Sequence, residues 1–240
     1  MSFILALETA TTACSAALCA ADGSVVAEAL SLDGPAHAGR LLPGVHEVFF
    51  AAGASWDDIS AVAVGLGPGA FTGLRIGIAT ARALAQAGEG VGLAGVPTLS
   101  ALALSLARAP EAEPARLLVP LIDGRRHEVF AAVFARDDGG EVRQVEDVAV
   151  VPAAGLSEWL ADRGDVVAGG DGAVLYGELL PASALAAAGI VAPTAAMVGR
   201  AVACGAPGVA RGPDAVLPIY GRAPDAAPWQ GAAPSAEARQ

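Results

Sequence analysis

Between Gly65 and Gly77, glycine recurs at every second or fourth position, in the run Val64-Gly65-Leu66-Gly67-Pro68-Gly69-Ala70-Phe71-Thr72-Gly73-Leu74-Arg75-Ile76-Gly77. Glycines this dense at a strand-to-helix junction permit positive φ and close backbone approach, and a helix start offers free N–H groups to an anion or a partner's carboxylate. Something is therefore expected to sit against Gly67, Pro68, Gly69, Phe71, Thr72, Gly73 and Arg75. Gly65, Gly67 and Ala70 match a dinucleotide fingerprint in form, but Pro68 interrupts it and no acidic residue follows the next strand at Val96. A phosphate loop fails as well, because there is no Gly-Lys-Ser/Thr and all 14 basic residues are arginine. The remaining reading without a ligand is a tight turn whose glycines serve packing.

Few other side chains offer chemistry. Solitary His37, just ahead of a helix, reads as a capping or surface residue rather than a general base. His37, His46 and His127 offer no pair at one helical turn's spacing, so no metal site is expected. Cys14 and Cys19, five apart in one strand, point to opposite faces, and with Cys204 they read as reduced, buried thiols. Arg125-Arg126 reads as a solvated strand edge or a phosphate contact.

The elements that must position these groups follow from periodicity. Phe3 to Leu7, Cys14 to Ala20 and Ser24 to Leu32 read as strands, with Asp22-Gly23 as a hairpin turn. Leu41, Leu42, Val45, Val48 and Phe49 recur at helical spacing up to Gly53. Ala61 to Gly67 and Val91 to Val96 read as strands, and Leu74 to Ala87 and Leu99 to Ala107 as helices, the last capped at Pro97-Thr98. Three further strands, near 117–122, 128–135 and 141–150, precede a helix at 156–161 and a strand at 166–168. This order predicts an α/β protein of two ribonuclease H-like lobes with mixed sheets, residues 1–109 and a degenerate copy at 110–222. An aperiodic Ala/Pro/Gly-rich tail, expected to be disordered, covers 223–240.

A net charge of −11 repels a phosphate backbone, so any RNA contact has to be indirect or local. No basic segment precedes the first strand, and no apolar run reaches about 18 residues, so neither a secretion signal nor a membrane span is expected. The protein reads as cytoplasmic.

The run Gly67 to Gly77 resembles the GPGSFTGLRIG signature of the TsaB (YeaZ) family, with Ala70 in place of serine. Ile4 to Thr9 resembles the family's opening ILAIDTS, and His37 to Pro43 its HSExLLP. Asp123 to Phe130, Gly169 to Tyr176 and Pro218 to Arg222 match later motifs more loosely. The resemblance implies an actin-like (ASKHA) fold and a non-catalytic subunit needed for threonylcarbamoyl transfer to adenosine N6 of ANN-decoding tRNAs. Its implied partners are a catalytic TsaD-type subunit, a TsaE-type ATPase and a second copy of itself, with tRNA touched only indirectly. It implies that the helix with His37, Arg40, Leu41, Val45 and Phe49 and the helix with Leu74, Ile78, Ala81 and Ala85 together form the docking face. No cofactor is expected of this chain alone, with ATP or ADP at the contact with partner subunits. Where catalytic actin-like proteins place a metal-holding acid, at the end of the first strand, this chain has Glu8, one methylene longer than aspartate. The alternative is an independent actin-like ATP-dependent enzyme or a metal-free hydrolase or protease.

Overall fold

A computed structural model describes residues 2–34, 36–112, 117–137, 139–187 and 189–222, so the expected tail at 223–240 lies outside the described residues. At the centre of the first sheet, β1 (Phe3–Glu8) pairs antiparallel with β2 (Cys14–Ala20) and parallel with β4 (Ile59–Gly65). β3 (Val25–Ser31) and β5 (Gly92–Val96) extend it on either side. Every residue of β1 is buried, as expected of a strand covered on both faces. On one face Phe3, Leu5 and Leu7 meet α1 (His37–Ala52) and α2 (Phe71–Ala87) through Leu41, Val45, Val48, Ile78, Ala81 and Ala85. Gly53, left-handed at φ 60°, terminates α1 as its sequence position predicts.

The second sheet repeats the first. Its strands are β6 (Leu117–Arg125), β7 (Glu128–Arg136), β8 (Val142–Pro152), β9 (Val166–Gly169) and β10 (Ala184–Ala186), in the order β10-β9-β6-β7-β8. That order matches β5-β4-β1-β2-β3 position for position. The copy is degenerate in its helices: α4 (Leu156–Ala161) and α5 (Asp171–Leu175) have 6 and 5 residues where α1 and α2 have 16 and 17.

Each sheet takes one helix across the division expected at 109/110. α3 (Thr98–Leu106), from the first half, buries Leu99, Leu102 and Leu106 against Leu118, Ile122 and Phe134 of the second sheet. α6 (Ala195–Ala203), from the second half, covers Ile4, Ala6, Ala17 and Cys19 of the first sheet with Ala195, Val198 and Ala201. β11 (Ala210–Arg211) then pairs with β5. Pattern-based boundaries miss this exchange because burial periodicity identifies an apolar face without naming the sheet it meets.

The small residues of α6 let it lie close to the sheet. A methyl group on Gly199 would run into the Cys19 sulfur and lie 3.2 Å from the Ala6 Cβ. Gly199→Val should lower the urea midpoint, at a cost of about 1–3 kcal/mol for overpacking. An unchanged midpoint would show that α6 does not rest on β1 and β2.

Candidate functional site

The glycine run forms a seat for the turn that follows β1. Gly67 has φ +100° and needs that freedom, whereas Gly65, Gly69, Gly73 and Gly77 are required for space. A side chain at Gly65 would overlap the Glu8 carboxylate, at Gly69 the Ala10 backbone, at Gly73 the Thr9 carbonyl and at Gly77 the Thr9 hydroxyl. Of the two uses that such glycines permit, positive φ is thus met at Gly67 and close approach at the other four. Gly73 lies inside α2, which starts at Phe71 rather than Leu74 because the first turn closes on the Ala70 carbonyl, accepting from the Leu74 N–H at 3.0 Å.

Hydrogen bonds fix the turn in this seat. Glu8 Oε1 accepts the N–H groups of Thr9 (2.8 Å) and Ala10 (2.7 Å), and Oε2 accepts the Thr98 hydroxyl at 3.3 Å. The Thr98 oxygen in turn takes the Gly67 N–H at 3.0 Å, so Thr98 braces the loop instead of capping α3. The Thr9 hydroxyl donates to the Gly73 carbonyl (2.8 Å) and the Ala70 N–H to the Ala10 carbonyl (2.6 Å). Burial pushes the Glu8 carboxyl up to about 7 against the pull of these hydrogen bonds.

Between the lobes lies a cleft of about 590 Å³ with Ala10, Gly69, Ala70 and Phe71 on one wall and Asp123, Arg125, Arg126 and Asp171 on the other. The last described segment closes one side. The Ile219 N–H donates to the Leu66 carbonyl at 2.7 Å, the Tyr220 ring lies 5.2 Å from that of Phe71, and Arg222 pairs with Glu128. Arg75 stacks 3.8 Å above Phe71 and donates to the Tyr220 hydroxyl at 3.2 Å. Arg125, Arg126 and His127 all have positive φ, between 54° and 62°, a costly run for residues with a Cβ. This turn carries Arg125 and Arg126 into the cleft lining, so they are not simply a solvated edge. Asp171 accepts the Asp123 N–H at 3.1 Å, and burial, aided by the Asp123 charge, pushes its carboxyl up to about 6. The cleft therefore combines guanidinium groups, aromatic surface and a proton-exchanging carboxyl. Glu8 does not line it. Among the described residues, no group of three or more His, Cys, Asp or Glu is placed to hold a metal ion.

The helical docking face needs correction. Leu41, Val45, Leu74, Ile78, Ala81 and Ala85 are buried beneath their own helices, because the strongest apolar periodicity marks the face turned to the sheet. Phe49 stacks on Trp56 at 5.9 Å, and Arg40 is tied to Asp33 at 2.9 Å and to Ser31. The outward face of α1 instead presents Leu42, His46 and Phe50 at successive turns, beside Ala79 and Ala83 of α2, with Phe71 and Thr72 at its start. Phe50 is 83% exposed, Leu42 55% and Phe71 54%. His37 is neither cap nor surface residue: it is buried as the first residue of α1, its Nδ1 without a hydrogen-bond partner. Cys14 and Cys19 are buried on opposite faces of the sheet, while Cys204 is exposed.

A family model described as TsaD, tRNA N6-adenosine threonylcarbamoyltransferase, matches residues 25–164, more than half of the chain. Escherichia coli TsaB is 42% identical over 137 residues, 57% of each protein, so the match spans little more than half of that relative. Bacillus subtilis TsaB is 30% identical over 157 residues, 65% of this chain and 64% of the relative. The solved structure of YeaZ from Pseudomonas aeruginosa superposes with a TM-score of 0.72 at 33% identity, covering 92% of this chain and all of that one. This chain belongs to the TsaB/YeaZ family.

In this TsaB/YeaZ protein the acid at the end of β1 has an internal role, and its titration reports the seat. A carboxyl whose folded pKa lies near 7, above its ordinary 4.5, contributes stability that is complete below pH 4.5 and lost as pH rises through 7. Glu8→Gln should remove about 3 kcal/mol of that pH dependence, measured as the difference between the two proteins' unfolding free energies from pH 4.5 to 8. Parallel stability curves would show that Glu8 is not held as described.

Proposed function

We propose that this chain is the non-catalytic subunit that supports threonylcarbamoyl transfer to N6 of adenosine in ANN-decoding tRNA. It docks on a TsaD-type catalytic subunit and works with a TsaE-type ATPase. The observation that carries this reading is the fate of Glu8: both of its oxygens are held by the chain's own Thr9, Ala10 and Thr98, away from the cleft. The position from which an actin-like enzyme would reach a nucleotide's metal is thereby given over to bracing the fold. Three TsaB relatives, from Escherichia coli, Haemophilus influenzae and Bacillus subtilis, support the assignment to tRNA threonylcarbamoyladenosine biosynthesis. Between subunits, ATP or ADP would sit at the contact with the partners.

Docking falls to the outer face of α1 and α2. Leu42 and Phe50 supply apolar anchors one helix turn on either side of His46, and Ala79 and Ala83 leave room for a partner helix. The same face serves a homodimer, because a two-fold contact uses one patch twice. With a net charge of −11 the subunit leaves tRNA to its partner.

One observation favours a second reading, an independent enzyme: Asp171, raised to about 6, lines an open cleft together with Arg125 and Arg126. Phe50→Asp separates the two. It should abolish co-purification with the TsaD-type subunit while leaving the melting temperature unchanged, since Phe50 contributes little to the core. Unaltered co-purification rejects the docking face, and substrate turnover by the purified chain alone rejects the accessory role.

A further inference from the structure

Where α3 and α6 both end, on a surface that shares no residue with the inter-lobe cleft, a second cavity of about 450 Å³ is lined by Arg108, Arg136 and Arg200. Three of 14 arginines converge here in a chain of net charge −11. None of the three makes an ion pair among the described residues. Arg136 donates to the carbonyls of Ala107 (2.7 Å) and Ala112 (3.1 Å), and Arg200 Nε to that of Gly23 (3.2 Å). Arg108 is exposed and makes no such bond.

Neutralising helix ends accounts for only part of this charge. Each C-terminus carries roughly half a negative charge. Carbonyls in the last turn of both helices are already capped by main chain, those of Ser105 and Leu106 by Arg108 and Ala109, and those of Ala201 and Val202 by Ala206 and Gly205. Among the described lining residues Glu141 is the sole acid, so three guanidinium groups outnumber it and the two partial helix-end charges. Leu104, Val142, Met197 and Pro207 give the wall its apolar part, beside Ser105 and Cys204.

We propose that this cavity binds a small organic monocarboxylate with an apolar body. The carboxylate takes charge-assisted hydrogen bonds from Arg108 and Arg200, and the body lies on Met197 and Leu104. Because α3 covers the second sheet and α6 the first, a ligand held by both helix ends bridges the two lobes.

Hexanoate is a suitable probe for the full chain, with hexanol as its neutral counterpart, both followed by saturation-transfer NMR. Hexanoate should bind saturably and slow alkylation of Cys204, the one exposed thiol, which lines the same cavity. Arg108→Gln should weaken binding about tenfold, the loss of one charge-assisted hydrogen bond. Glu141→Gln removes a repelling carboxylate from an exposed position and should tighten binding, a gain that misfolding cannot imitate. Equal signals from hexanol and hexanoate, affinity untouched by both substitutions, or no saturable binding would each overturn the proposal.

Discussion

Glu8, Thr9 and Ala10 form a turn that Glu8 Oε1 closes locally and distant chain holds in place. Its carboxylate, hydroxyl and main chain are bonded to Thr98, Gly73 and Ala70, residues 60 or more positions away in sequence. Four glycines clear the space in which it sits. The arrangement sets the distance between the end of β1 and the starts of α2 and α3. The seat in the glycine run is filled by the protein's own backbone. The carboxylate that would reach outward is desolvated instead, which is why it titrates near neutrality.

Much of the fold was legible because its signals are local. Alternation and helical spacing locate β1 to β9 and α1 to α4, and Asp22-Gly23 and Gly53 mark a turn and a helix end where they are found. α6 was not legible, since Ala195 to Ala203 is a short alanine-rich stretch whose packing is decided by the small residues of a sheet nearly 180 positions away. β10 and β11, at three and two residues, are too short for any period to register. In the candidate site, the glycine run stood out, but its purpose did not: spacing shows that something must approach closely, and only the fold shows that it is the first turn. The helical face was misread for a related reason. Periodicity finds the buried stripe of an amphipathic helix, and the exposed apolar residues Leu42 and Phe50 lie on the other side where they look like exceptions.

Charge is distributed with similar economy. The surface is acidic overall, yet Arg75, Arg125, Arg126 and Arg222 gather at the cleft and Arg108, Arg136 and Arg200 at the far helix ends. With no lysine in the chain, every cation is a planar fork able to grip an oxyanion or lie on a ring, as Arg75 does on Phe71 and Arg163 on Trp159.

The exchange of α3 and α6 between the sheets has a consequence for biosynthesis. When the first hundred residues have left the ribosome, the face of β1 and β2 carrying Ile4, Ala6, Ala17 and Cys19 is still bare, because its cover is encoded at 195–203. Synthesis of the intervening segment leaves that apolar surface open for several seconds at ordinary elongation rates of about 5–20 residues per second. The nascent amino-terminal half is accordingly a client for holding chaperones, and neither half can mature before the other has been made.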